Sequence, residues 1–215
     1  MSDNTVRQDI LDELEFEPSL DATTVGVAVR DGVVTLTGWV ESYSEKLTVE
    51  RAVERIKGVR GIAQEIEVRP RDPNGPHDDE ITQRAIAALR WSTMVPDGRI
   101  MVKVEHGRVT LMGTLDWAYQ KRGALDLVRG LRGVIAVTDL IELAERVASK
   151  DVKTAIENAL GRHAELEDRD VKVSVAGNRV TLDGRVASWR ARRVVEEAAW
   201  SVAGVTEVTD QLIVG

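Results

Sequence analysis

The residues that could do chemistry are few and scattered. There are three histidines, His77, His106 and His163. They fall in a linker, a turn and a helix end, and they share no common place in the pattern described below, so neither a metal site nor a general base is expected of them. The chain has no cysteine, which excludes disulfides, thiolate nucleophiles, zinc–thiolate sites and a lipid-anchoring cysteine. Acidic residues are plentiful, but they sit on the outer faces of helices and in loops, where solvated charge is the ordinary state. No nucleophile–base order and no phosphate-cradling glycine loop stands out, so no catalytic residue is assigned and an enzyme is not expected.

The aromatic and basic residues carry more information. Of eight aromatic side chains, five gather at one kind of place: Trp39, Tyr43, Trp117, Tyr119 and Trp189. Each lies where a second helix of a repeating unit is expected to begin. Lys121 and Arg122 follow in one copy, and Arg190, Arg192 and Arg193 in another. Positive charge in a first helical turn opposes the helix dipole, and a broken local rule points to function. Trp beside Lys or Arg suits an anionic lipid headgroup region. Trp117, Lys121, Arg122, Trp189, Arg190, Arg192 and Arg193 are therefore the candidate lipid-binding residues. The competing reading is that each Trp covers the edge of a small core while the basic groups stay solvated. Trp91 and Trp200 read as packing residues.

These residues must be positioned by a threefold repeat. Val-Thr-Leu-x-Gly ends at Gly38, Gly113 and Gly184, at nearly equal intervals along the chain. A second glycine follows each anchor at one fixed interval, at Gly58, Gly133 and Gly204, and each is succeeded by valine. Ahead of each anchor, apolar residues recur at helical spacing: Val6, Ile10, Leu14; Ile81, Ala85, Leu89; Val152, Ile156, Leu160. Asp3, Asp78 and Ser149 stand at the N-cap position of these helices. An alternating strand follows (Val25, Val27, Val29 in the first copy), and then a two-residue turn. The turns Asp31-Gly32, His106-Gly107 and Gly177-Asn178 suit type I′ geometry. The anchor is the second strand, ended by its glycine.

A second helix then begins, capped by Ser42 and Ser188 in two copies. Its inner face carries Ala52, Val53, Ile56; Leu127, Val128, Leu131; Ala198, Ala199, Val202, and it stops at Gly58, Gly133 and Gly204. A last apolar strand closes each unit. The expected fold is α+β: three tandem αββαβ modules over 3–69, 78–144 and 149–214, each with two helices packed on a small three-stranded mixed sheet. A Pro- and Gly-rich linker at 70–77 separates the first two modules, and a shorter one at 144–148 the last two. The second and third modules are expected to be the more closely coupled pair.

The glycine ends Gly38, Gly113 and Gly184 and the Gly-Val pairs at Gly58, Gly133 and Gly204 resemble the BON domain, named for bacterial osmotically inducible and nodulation proteins. The resemblance covers nearly the whole chain. It implies a non-catalytic binding or scaffold protein of osmotic stress response, with an anionic phospholipid surface or another envelope component as partner. It implies potassium as an alternative ligand and protein adaptor as an alternative role; no other cofactor is expected. The chain carries a net charge of −7. Residues 1–70 alone hold 14 acidic against 8 basic residues, which argues against nucleic acid as a partner. The first residues are acidic, without the apolar run of a signal peptide, so the expected location is cytoplasmic.

Overall fold

A computed structural model describes residues 2–70, 72, 75–144, 152–160 and 171–214. The expected cap Ser149, His163 and most of the 144–148 linker lie outside them. The first module runs α1 (Asp3–Glu15), β1 (Val25–Arg30), β2 (Val33–Val40), α2 (Tyr43–Glu54), β3 (Gly61–Gln64) and β4 (Glu67–Val68). The second runs α3 (Asp78–Trp91), β5 (Ile100–Glu105), β6 (Arg108–Leu115), α4 (Ala118–Arg129) and β7 (Ala136–Leu143). The third runs α5 (Val152–Leu160), β8 (Val171–Ala176), β9 (Arg179–Val186), α6 (Trp189–Trp200) and β10 (Glu207–Val214). The chain is therefore an α+β protein of three repeated modules, each with a small mixed sheet.

The Val-Thr-Leu-x-Gly strand lies at the centre of each sheet. It pairs antiparallel with the strand before it, and in the first and third modules parallel with the last strand. Its period of two explains the motif. Val34 and Leu36, Val109 and Leu111, and Val180 and Leu182 are all 0% exposed, while the threonine between each pair faces the other way. Val49, Ala124 and Val195, one per second helix and also 0% exposed, close the core from above. Full burial of each such Val or Leu side chain contributes about 1.5–3 kcal/mol.

Both glycine sets depart in detail from the expectation. Gly38, Gly113 and Gly184 do not end the central strand; they lie inside it, at φ of 102°, 143° and 131°. A side chain on the first two would run into the carbonyl oxygens of Thr24 and Arg99, just ahead of the neighbouring strand, and not into the turn or the helix. Gly58, Gly133 and Gly204 do have positive φ, 94°, 90° and 92°. The second helices stop at Glu54, Arg129 and Trp200, however, and one further turn separates each from its glycine.

The turns differ as well. Asp31 and Gly32 both have positive φ, as do His106 and Gly107, the type I′ pattern. In the third turn Gly177 is positive and Asn178 is not, which is the sign pattern of type II′, for which Gly at the first position suffices. Each turn also holds the start of the last strand. Arg60, Ile135 and Thr206 donate their backbone N–H to the carbonyls of Gly32, Gly107 and Asn178 at 2.8, 3.0 and 3.0 Å.

Asp3 and Asp78 are not N-caps. Ser2 caps α1, accepting the Thr5 N–H, and His77 precedes α3 without a side-chain cap. The two aspartates are first helical residues whose carboxylates reach the turn. Asp3 accepts the N–H of Asp31 (2.9 Å) and of Gly32 (3.1 Å); Asp78 accepts those of His106 (2.7 Å) and Gly107 (2.8 Å). Two successive N–H groups form a concavity that suits an anion. The Gly107 and His106 amides, with the two nearby histidines adding to them, hold the Asp78 carboxyl below its usual value.

A depressed pKa of this kind gives stability that is present above the unfolded pKa and lost as pH falls through the folded one. The melting midpoint of wild type should therefore exceed that of Asp78→Asn near pH 5, and the margin should shrink below about pH 4. A margin independent of pH down to acid unfolding would refute the role given to the carboxylate.

Residues 1–115 with 120–142 form one compact unit, and residues 116–119 with 143–215 form a second. Most of the second module shares a unit with the first, and within that unit two linker residues meet the second module. Asp72 pairs with Arg132 at 3.1 Å, and Pro76 lies so close to Gly133 that a Cβ there would meet its ring.

Candidate binding surface

The start of the second helix was the place singled out by aromatic and basic residues, and the structure divides those residues into two groups. Lys121 and Arg192 are tied to their own modules. Lys121 Nζ donates to the Ile141 carbonyl at 2.6 Å and pairs with Asp139 at 2.9 Å, both on β7. Arg192 Nε pairs with Asp210 on β10 at 2.6 Å, with the two side chains only 26% and 17% exposed. Its guanidinium also lies 5.0 Å from the centre of the Trp189 ring.

Lys46, which sequence reasoning passed over, occupies the same place in the first module and donates to the Ile66 carbonyl at 2.6 Å. One basic residue per module thus reaches from the second helix to the last strand. The repeat could have revealed it, since Lys46, Lys121 and Arg192 each stand at the same distance along the chain from the anchor glycines Gly38, Gly113 and Gly184.

The acidic partner explains a further difference between modules. Asp139 and Asp210 also accept the N–H two residues on, from Ile141 (3.0 Å) and Leu212 (2.8 Å). The first module has Gln64 there, whose buried amide atoms find no partner, and its last strand is interrupted between β3 and β4. A neutral amide cannot form the charge-assisted bond that the carboxylates form with the basic residue.

Arg122, Arg190 and Arg193 form the second group and are exposed on the outer faces of α4 and α6. On α6 the buried positions Ala191, Val195, Ala198 and Ala199 define the opposite side. Ser188 caps this helix through the Ala191 N–H, as Ser42 caps α2 through the Glu45 N–H. Trp117 takes the serine position in the second module and stacks with Tyr119, ring centres 6.4 Å apart. Trp189 is half-buried and Trp39 is 36% exposed.

Trp200 packs against the third core and donates its indole N–H to Glu196, as a packing residue should. Trp91 does not: it is 88% exposed at the end of α3. Phe16, at the equivalent place in the first module and equally exposed, matches it just past the end of α1. The helical period placed both just past the last inward position, so each side chain turns away from the core.

His77 and His106 are exposed, and the left-handed turn position of His106 accounts for it without chemistry. Among the described residues no group of three or more His, Asp or Glu is placed to hold a metal ion. An open cleft of about 890 Å³ lies within the first unit, between the start of α2 and the Pro76–Asp79 and Arg129–Ile135 segments. Several of its polar side chains are engaged: Ser42 and Glu45 in the helix cap, Asp78 on the turn, Arg132 on Asp72, and Arg129 on Asp126, although the buried Nε of Arg129 finds no partner. Among the described residues no helix is long and apolar enough to cross a membrane.

A two-helix αββαβ unit whose recurring polar residues brace the unit itself defines a small repeat domain. The BON domain family model matches residues 2–70, 77–145 and 148–215, and the chain belongs to that family. Osmotically-inducible protein Y of Escherichia coli strain K12 is 25% identical over 141 residues, which cover 64% of this chain and 70% of that protein. Among solved structures, CdsD, a structural protein of the type III secretion system of Chlamydia trachomatis, aligns over 97% of this chain and 91% of its own, at 17% identity and a TM-score of 0.25. The PrgH periplasmic domain aligns over 95% and 99%, at 13% identity and a TM-score of 0.24.

Proposed function

We propose that this chain is a non-catalytic, stress-linked scaffold that docks reversibly on anionic phospholipid through the outer face of α6, with the outer face of α4 as a separate basic site. Similarity to an osmotically inducible protein supports the link to stress. The observation that carries the docking is the exposure of Arg190, Arg193 and Arg122 on helices whose other side is core. Trp189 serves more as a platform under Arg192 than as an inserting group. Docking is thus electrostatic, at about 1 kcal/mol for each basic residue near the leaflet, and it weakens with salt.

The test is co-sedimentation with phosphatidylglycerol vesicles at low and high salt. Wild type should bind at low salt and release at high salt. Arg190→Glu with Arg193→Glu should weaken binding at least about 30-fold, since two charges are reversed. Arg192 is left intact, because its loss would destabilise the module and confound a loss of binding. Absence of wild-type binding at low salt, or equal binding by the variant, would remove the lipid reading.

A further inference from the structure

The helices cover one face of each sheet and leave the other open, and the three open faces are not alike. In the second module Met101 pairs with Met112 across β5 and β6. The last strands of the other modules run parallel to their central partners in one shared register, with Gln211 opposite Asp183 and Gln64 opposite Leu36. The same register sets Leu140 beside Met112. Met101 is 66% exposed and Leu140 55%, so an apolar row crosses the open face. The matching positions are Gly26, Thr37 and Glu65 in the first module and Lys172, Asp183 and Gln211 in the third. A solvent-facing row needs no methionine, and at these three matched positions only the second module is apolar throughout; Ile213 and Val33 are single exposed apolar residues on the open faces of the other two. Exposed apolar rows rimmed by polar residues mark contact surfaces, and methionine adapts well to a partner.

We propose that this face is a self-association surface on which a second copy of the chain packs through the same face. Charge decides for a second copy. The next row along the strands is Arg99, Thr114, Glu142, with a cation at one edge and an anion at the other. A twofold axis running along β6 between two stacked faces exchanges the edges. It places Met112 on its own counterpart, Met101 on Leu140 of the other copy, and Arg99 on Glu142 of the other copy. Such a contact is self-complementary, as a twofold dimer requires. Three strands of about eight residues span roughly 14 by 26 Å, so the pair buries on the order of 700 Å², below the standard size of a specific interface. The dimer is accordingly weak, with dissociation in roughly the 10 μM to 1 mM range.

Sedimentation equilibrium of the full chain across that range tests the proposal. Wild type should show a reversible monomer–dimer equilibrium. Met101→Lys, Met112→Asp and Leu140→Gln together install the third module's own residues. This variant should keep its melting midpoint and lose dimerisation at least tenfold; Leu140→Gln alone, the mildest change, should weaken it measurably. Arg99→Glu should weaken the dimer, and adding Glu142→Arg should restore it. A wild-type chain that stays monomeric to about 1 mM, or a dimer untouched by the triple or single substitution, overturns the proposal. Failure of the charge swap to restore association overturns the twofold arrangement.

Discussion

Gly113→Val is expected to unfold the second module, or to lower its stability by about 3 kcal/mol or more, and Gly113→Ala by about 2 kcal/mol. Two independent effects add. At φ 143° any side chain is strained. In addition, the new Cβ would run into the Arg99 carbonyl, with the Arg99 carbonyl carbon at 3.1 Å and the Ile100 Cα at 3.2 Å. These are backbone atoms at the start of β5, which cannot rotate away. The strand must shift and weaken its pairing of Ile100 with Gly113. A domain of this size has little stability to lose.

Gly98 supplies the control. It also has positive φ, 72°, but nothing lies within 4 Å of where its Cβ would stand. Gly98→Ala should therefore carry only the backbone strain, about 1 kcal/mol. Urea unfolding of the three variants separates the two effects. If Gly113→Ala and Gly98→Ala proved equally stable, the close approach of the Arg99 carbonyl would have no energetic weight.

Arg192→Ala is expected to lower the stability of the third module by about 2 kcal/mol, because it leaves the Asp210 carboxylate part-buried without its cation. It also removes the cation over the Trp189 ring. Asp210→Ala should cost a similar amount and in addition frees the Leu212 N–H. The double variant should lose less than the sum, by about 1–2 kcal/mol, since the pair is already broken by either change. Arg192→Lys should recover part of the loss, as Lys121 makes the equivalent pair with Asp139 at 2.9 Å. Arg193→Ala, at the next position and exposed, should stay within about 0.5 kcal/mol of wild type. If Arg192→Ala were as mild as Arg193→Ala, the basic residue would belong to the outer surface after all.

This division bears on how a binding surface evolves on such a module. The dipole-opposing charges at the second helix stand out as a group in the sequence, yet Lys121 and Arg192 are explained by partners on the last strand. The rule they break locally is repaired by tertiary contact. Arg122, Arg190 and Arg193 stay on exposed helix faces, with Tyr119 58% exposed near the first of them in sequence.

The sequence by itself determined the element order, the three modules and most of the core. Those features rest on local rules. Burial alternates along the strand in Val34 and Leu36 and follows the helical turn in Val6, Ile10 and Leu14, and the tight hairpins use Asp-Gly, His-Gly and Gly-Asn, pairs whose residues tolerate the positive φ such turns require. Only the tertiary structure decided what depends on distant partners. Asp78 looked like a helix cap until the His106-Gly107 turn came within reach of its carboxylate. Lys121 looked available to lipid until the last strand of its module presented the Ile141 carbonyl. Trp91 fitted a core until its helix ended with no element to cover it, and Gly113 marked a strand end until the neighbouring carbonyl came too close for a Cβ. In each case the side chain's chemistry was legible, and its partner was not, because pairing across that separation is set by how the layers pack and not by any local period.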